Sequence, residues 1–229
     1  MKAAIFDVDG TLVDSVDLHA KAWQAAFSHF GHNHSFDAIR SQIGKGGDQL
    51  MPVFLPQEEV DAKGHEIEKY RGNLFTKEFM SSVKPFPLVR ELFQRLLADG
   101  WKIALASSAK KDELQTYKDL CRVTDLLDTE TTSEDAEKSK PHPDIFEAAR
   151  KRLGGIAAAD CVVVGDSPYD AEAADKAGMH SIGLLSGGFP ATLLRAAGFE
   201  ALYPDVAALL GRYGETIFSR EWPSGVSKT

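Results

Sequence analysis

Short apolar runs recur along the chain, separated by longer stretches whose apolar positions fall at helical steps. The runs Ala3–Val8, Lys102–Ala106, Cys161–Gly165 and Ser181–Leu185 lack clean alternation of apolar and polar side chains. That is the pattern of strands covered on both faces. Between them, Leu88, Leu92 and Leu96 with Val89, Phe93 and Leu97 make one helical stripe, closed by Asp99-Gly100, since glycine commonly stands just past a helix C-terminus. Further helices are predicted over Lys111–Leu120, Pro143–Leu153, Pro168–Ala177 and Ala191–Ala197. Strand and helix alternate, so the expected fold class is α/β with a parallel sheet.

One segment breaks the alternation. From about Val16 to Val83 the signals are helical and no strand stands out. Val16, Ala20, Trp23, Phe27 and Phe30 give one apolar face, and Gly31 ends that helix. Ile39 and Ile43 suggest a second helix stopped by Gly44, and a longer one runs from about Gln57 to Met80. A helical block directly after the first strand reads as a cap over the carboxyl edge of the sheet. The other reading is a helix layer continuous with the core; Lys84-Pro85-Phe86-Pro87 favours a hinge. The expected organisation is a core of residues 1–15 and 84–214, an inserted α-helical cap of 16–83, and a poorly ordered tail of 215–229.

Composition adds bounds. Of 229 residues, 43% are hydrophobic and 26% charged, a usual globular mixture with room for an ordinary domain and a small insert. The formal net charge of −8 sets a field that repels nucleic acid and acidic membrane surfaces. It also repels an anionic substrate, so any phosphate site needs local cations. Cys121 and Cys161 match no zinc spacing and read as reduced thiols. Candidate chemistry begins at Asp7, leaving no room for a signal peptide, and no apolar run reaches membrane-spanning length. A monomer or small homo-oligomer in the reducing cytoplasm is expected, with no nucleic-acid or membrane partner.

Chemistry gathers at strand ends. The first strand delivers Asp7-Val8-Asp9-Gly10-Thr11 at its carboxyl end, the edge at which open parallel sheets bind ligands. Alternation along an extended strand points Asp7 and Asp9 the same way. Gly10 allows a tight turn, and Thr11 can offer a hydroxyl or amide to an anion. The two carboxylates make a hard oxygen site for Mg²⁺. Ala106-Ser107-Ser108 ends the second core strand, where a hydroxyl and following amides can hold phosphate oxygens. Lys140-Pro141-His142-Pro143 precedes a helix, and Lys140 can neutralise a bound phosphate. Gly165-Asp166-Ser167-Pro168-Tyr169-Asp170 follows another strand, and Asp166 with Asp170 can complete a metal site. Singly, each has a plainer reading: an acidic turn, helix caps at the serines or Asp166, a solvated lysine. Jointly they bring a nucleophile, a metal, an oxyanion cradle and a fixed cation to one edge, which phosphoryl transfer requires.

The ordered set Asp-Val-Asp-Gly-Thr, Ala-Ser-Ser, Lys-Pro-His-Pro and Gly-Asp-Ser-Pro-Tyr-Asp resembles the four motifs of the haloacid dehalogenase-like superfamily, over Ala3 to about Leu210. The helical insertion resembles that superfamily's cap, as found in its phosphoglycolate phosphatase and β-phosphoglucomutase-like members. The resemblance implies a Rossmann-like core in which Asp7 attacks phosphorus and forms an aspartyl-phosphate. It implies that Asp9 acts as general acid and then base, that Ser107 bonds the phosphoryl group, with Ser108 beside it, and that Lys140 stabilises charge. Mg²⁺ would be held by the Asp7 carboxylate, the Asp9 carbonyl and Asp166, with Asp170 bound directly or in support. The expected enzyme is a Mg²⁺-dependent phosphatase for a small phosphorylated metabolite, such as a sugar phosphate or phosphoglycolate.

Rivals differ at a few positions. Dehalogenases of the superfamily lack the second aspartate of the first motif, so Asp9 argues against carbon–halogen hydrolysis. A β-phosphoglucomutase-like phosphotransferase is suggested by His19, which with Ala22-Trp23 resembles a cap-facing histidine of that group. Against it, Gly165-Asp166 resembles the phosphatase form of the fourth motif. His19 has an equal reading as a residue on the solvated side of its helix. Ile43-Gly44-Lys45-Gly46-Gly47-Asp48 resembles the cap's substrate-specificity loop, with Lys45 as an anion contact, or is a plain glycine-rich link. A catalytically silent phosphate-binding protein on the same fold is the remaining alternative, and the intact acidic set with Ser107 and Lys140 argues against it. No Gly-x-x-x-x-Gly-Lys-Ser/Thr segment supports a nucleotide site.

Overall fold

The apolar runs become strands β1 (Lys2–Phe6), β4 (Trp101–Ala106), β6 (Cys161–Gly165) and β7 (His180–Leu184) in the computed structural model, which describes residues 1–220. Two further strands, β5 (Thr129–Thr131) and β8 (Ala201–Tyr203), complete a parallel six-stranded sheet of order β5-β4-β1-β6-β7-β8. These edge strands were not expected from the sequence, because three residues are too few to leave a periodic pattern. Along β1, Ala4 and Phe6 join one apolar cluster with Phe93, Ile103 and Val164, while Ala3 and Ile5 join another with Phe146, Val163 and Met179. Both faces of the strand are covered, which is why its sequence does not alternate.

Helices α5 (Val89–Ala98), α6 (Lys111–Cys121), α7 (Asp144–Arg152), α8 (Pro168–Lys176), α9 (Ala191–Ala197) and α10 (Val206–Gly211) surround the sheet. On α5 the predicted stripe is the buried one: Val89, Leu92, Phe93 and Leu96 face inward, and Phe93 lies 4.7 Å from Phe6 between ring centroids. Gly100, at φ +78°, then turns the chain out of the helix.

The block between β1 and α5 is helical, as expected, with α1 (Val16–His29), α2 (Phe36–Arg40), α3 (Gly47–Phe54) and α4 (Gln57–Leu74). Val16, Ala20, Trp23 and Phe27 pack with Ile39, Leu50 and Ile67 in a cluster of their own. Two details differ from the sequence reading. The second helix stops at Arg40, short of Ile43. The glycine-rich stretch runs directly into α3, which buries Leu50 and Met51; glycine at its start and Pro52 inside it hid the helix. Helix α4 continues through a wide π turn at Phe75–Phe79 and a tight turn at Met80–Ser82. The two chain crossings between block and sheet pair as a short antiparallel ribbon, β2 (Val13–Asp14) with β3 (Lys84–Pro85).

Part of the tail is firmly placed. Thr216 and Phe218 are buried, and Trp101 donates its indole N–H to the Phe218 carbonyl at 3.2 Å. The expectation of poor order from residue 215 onward is therefore corrected up to 220, and residues 221–229 lie outside the described residues.

Candidate active site

Register builds the site. Phe6 pairs with Leu105 of β4 and with Val164 of β6. Asp7, Ser107 and Asp166 are each the first residue past adjacent strands β1, β4 and β6. The chain leaves β1 toward β4 on one side and returns to β6 on the other, so this is the switch point at which α/β sheets open a crevice.

The turn after β1 is tight. The Val8 carbonyl accepts from the amides of Thr11, Leu12 and Val13 at 3.2, 2.8 and 3.2 Å, and the Gly10 amide donates to Val13 at 2.8 Å. Gly10 has φ +82°, and a Cβ there would lie 2.4 Å from Asp166 Oδ2. Gly187 is more constrained, because its Cβ would lie 1.7 Å from the same oxygen. Glycine at both positions gives the Asp166 carboxylate its place. The Thr11 amide is used within the turn, and its hydroxyl lies 3.0 Å from Asp166 Oδ1 and 3.4 Å from Asp7 Oδ2. The anions that Thr11 serves here are the protein's own carboxylates.

Asp7 is buried and bonded to the Lys140 ammonium, which also donates to Asp170 Oδ1 at 2.8 Å. Lys140 is presented by a cis Lys140–Pro141 peptide. Asp170 Oδ2 accepts from the Ser167 amide at 3.0 Å and hydroxyl at 2.6 Å, closing a capping box at the start of α8. The capping reading of this motif and its place beside the charged cluster are thus both true of Asp170. Carboxylate oxygens of Asp7, Asp166 and Asp170 all lie within 4.8 Å of one another. Burial above all pushes Asp7 up to about 7, with repulsion from Asp170 and Asp9 added and attraction to Lys140 opposing. Asp166 is held well above the ordinary carboxylate range by burial and by Asp7 and Asp170. Burial alone would depress Lys140, but Asp170 and Asp7 raise it. Among the described residues, three buried carboxylates outnumber the one ammonium they meet. A small divalent cation would relieve that excess, and an all-oxygen donor set suits Mg²⁺.

Asp9 does not follow strand alternation, because β1 ends at Phe6. Its carboxylate turns toward the helical block, accepting from the Ser15 hydroxyl at 2.6 Å and lying 2.9 Å from His19 Nε2. Burial would raise Asp9, yet the neighbouring His19 and the bonds from His19 and Ser15 hold it below the ordinary range. Asp7 and Asp9 both line one cleft, but their carboxylates keep different company: Asp9 groups with His19 and Glu113, and Asp7 with Asp166 and Asp170. The solvated reading of His19 fails. That side chain is buried, stacked on Phe75 at 3.9 Å and 3.2 Å from the Tyr117 hydroxyl.

Ser107 is buried, and its hydroxyl oxygen accepts the Ala109 amide at 3.0 Å, which leaves its own proton to donate. Ser108, rather than Ser107, lines the cleft. Lys45 also lines it, donating to Gln42 Oε1 at 2.6 Å with its ammonium 4.7 Å from the Tyr169 ring centroid. Burial lowers Lys45, against a smaller opposing pull from Glu172. The sequence reading missed Ser15, Glu113, Tyr117 and Arg71. Of these Arg71 left a signal, standing four residues from each of the buried Ile67 and Phe75, a cation on an apolar stripe.

The block is seated on the sheet. Arg40 Nη2 donates to the Gly187 carbonyl at 3.0 Å, the Tyr169 hydroxyl to the Ser41 carbonyl at 2.6 Å, and the Ser139 amide to Asp48 Oδ2 at 3.1 Å. Gly44 presses on the core so closely that a Cβ would meet the Ser167 hydroxyl at 2.6 Å. The cleft between Asp7 and the block has a volume of ≈50 Å³, room for a few water molecules.

Comparison with known proteins bears on this geometry. The chain is 26% identical over 182 residues to the fructose-1-phosphate phosphatase YqaB of Escherichia coli, covering 78% of this chain and 93% of that one. It is 29% identical over 192 residues to a phosphoglycolate phosphatase of Yersinia pestis, covering 82% of each. The crystal structure of a hydrolase from Pseudomonas syringae superposes with a TM-score of 0.86 at 27% identity, over 94% of this chain and 99% of that one. Residues 4–184 match the haloacid dehalogenase-like hydrolase family. A match running from β1 to the end of β7 takes in every strand end that carries these side chains, and the chain therefore belongs to the haloacid dehalogenase-like hydrolases.

Proposed function

We propose that this hydrolase is a phosphatase for small phosphorylated metabolites, sugar phosphates or phosphoglycolate, with Asp7 as its nucleophile. The observation that carries the reading is the buried Asp7–Lys140 pair at the floor of the cleft, with the Asp9 carboxylate facing the same cleft on a separate set of bonds. Two carboxylates in unlike surroundings can take unlike roles.

An Asp7 oxygen attacks phosphorus, the bond from phosphorus to the leaving oxygen breaks, and Asp9 gives that oxygen a proton. Asp9 then takes a proton from water, whose oxygen attacks the aspartyl-phosphate; the bond to Asp7 breaks and phosphate leaves. Ser15 and His19 hold Asp9 ionised in the free protein, the state the base needs, and loosening those bonds favours the acid. Ser107 offers a hydroxyl proton to the phosphoryl group, and Lys140 draws Asp7 toward its ionised form and stabilises its charge. Mg²⁺, held by Asp7, the Asp9 carbonyl and Asp166, would shield nucleophile from phosphate. Asp170 supports that site through Lys140 and the α8 cap.

Residues 16–83 act as a cap. A cleft of ≈50 Å³ is too small for a sugar phosphate, so the block swings from the sheet at the β2–β3 ribbon to admit substrate. Cys121 and Cys161, both buried free thiols, suit a reducing cytoplasm.

The test is phosphate release from a panel of small phosphoesters, with Mg²⁺ or with a chelator, by the wild type and Asp7→Asn. Release that needs Mg²⁺ and falls by roughly 10³-fold or more in Asp7→Asn is the expected result. Wild-type release from Asp7→Asn would remove Asp7 as the nucleophile, and silence across the panel would remove the phosphatase.

A further inference from the structure

We infer that Arg71 selects the leaving group, and that the group it selects ends in a carboxylate: the substrate class is a phosphorylated two- or three-carbon hydroxy acid. This rests on the phosphatase reading above.

Arg71 lines the same cleft as Asp7, Asp9 and Lys140, on the wall formed by α4. Its guanidinium carbon lies 5.2 Å from the Trp23 ring centroid, a stacking that fixes the plane, and Nη1 lies 3.5 Å from His19 Nδ1. Its Nε is buried and has no hydrogen-bond partner. Arg40, Arg90, Arg95, Arg152 and Arg212 each hold a carboxylate. Among the described residues none lies within 4.0 Å of Arg71. A buried, unpaired donor on a planar five-donor cation is unfavourable until an acceptor fork meets it. A carboxylate matches that fork with two parallel bonds, whereas a sugar hydroxyl offers one neutral acceptor.

The acidic groups nearby are already engaged: Asp9 with Ser15 and His19, Glu113 with the Tyr117 hydroxyl at 3.2 Å. Lys140 serves Asp7 and Asp170, and Lys45 is bonded to Gln42. Arg71, whose one bond runs to the neutral ring atom His19 Nδ1, is thus the cleft cation with a buried donor unused and, among the described residues, no carboxylate of its own.

Distance limits the length of the leaving group. Asp9 reaches the ester oxygen in the proposed reaction. One imidazole ring, with contacts of 2.9 Å to Asp9 and 3.5 Å to Arg71, separates the two. A carboxylate on Arg71 and an ester oxygen at Asp9 are therefore spanned by few bonds, in keeping with the small cleft.

The experiment compares 2-phosphoglycolate with 2-hydroxyethyl phosphate, equal in length but neutral at the far end, in wild type, Arg71→Gln and Arg71→Lys with Mg²⁺ present. Wild type is expected to prefer the carboxylate. Arg71→Gln is expected to lose about 10- to 100-fold in kcat/KM for 2-phosphoglycolate, mostly through KM, and to stay within about threefold for the neutral ester. Arg71→Lys should recover part of the loss, because charge remains and the fork does not. Equal losses on both esters, or no preference in the wild type, would overturn the inference and leave the phosphatase standing. Calorimetric binding of 2-phosphoglycolate to Asp7→Asn, with and without Arg71→Gln, reads the same contact without turnover. Binding unchanged by Arg71→Gln overturns the inference even if no ester is hydrolysed.

Discussion

Asp7 and Asp166 sit where a carboxylate is least comfortable, buried among other acids, and among the described residues only the ammonium of Lys140 opposes their charge directly. The consequence for stability has a definite sign. Asp7 ordinarily titrates near 3.8 and is pushed up to about 7 by folding. Its contribution to stability is fully present below about 3.8 and is lost as pH rises through about 7. Metal-free protein should therefore melt at a lower temperature at pH 8 than at pH 6. Mg²⁺ bound as proposed would compete with protons for the same oxygens, so it should raise the melting temperature more at pH 8. At a hundredfold excess over Kd the increment is about 2.7 kcal/mol, or about 5–10 °C for a chain of this size. Scanning calorimetry with Mg²⁺ against a chelator reads this directly; an equal or smaller increment at pH 8 would place Mg²⁺ elsewhere.

Strand ends and helix starts make the site rigid. The Asp166 carboxylate is wedged by Gly10 of one turn and Gly187 of another, and Asp170 is locked by the α8 capping box. Rigid placement of this kind lets charged groups act without reorganising. Gly187→Ala should therefore disable the site while leaving the sheet folded, because its Cβ meets Asp166 Oδ2 at 1.7 Å and can be relieved only by moving that carboxylate. The expected outcome is near-native circular dichroism with most of the Mg²⁺-induced rise in melting temperature gone. Retention of the full rise would show that Asp166 does not contribute to the metal site.

For the molecule as a whole, the proposed closure rests on an apolar seam, where Ala22 and Phe75 of the block join the cluster of the sheet, and on polar contacts that include Arg40–Gly187, Tyr169–Ser41 and Asp48–Ser139. Each polar contact is worth about 0.5–1.5 kcal/mol, small enough to make and break during turnover. Tyr169→Phe should shift the balance toward the open form by up to about tenfold. Small-angle scattering would then show a larger radius of gyration, and KM would rise. An unchanged radius with unchanged KM would mean that Tyr169 does not hold the block closed.

Much of this was legible in the chain itself. Doubly apolar strands, a striped α5, a helical insert and acidic residues just past strands are local patterns, and local patterns survive without coordinates. They were enough for the α/β class, the central strands and the family. Other features depend on neighbours distant in sequence. The strands β5 and β8 exist because β4 and β7 offer free edges. Asp9 parts company with Asp7 because Ser15 and His19 reach it from α1. His19 is buried because Phe75 and Tyr117 close over it. Arg71, 62 residues after Asp9 in the chain, reaches the cleft only because α4 folds back across α1. Sequence determined which chemistry the chain can carry, since residue type and local spacing fix it; tertiary packing decided which groups meet, because long-range contacts alone set burial and charge pairing.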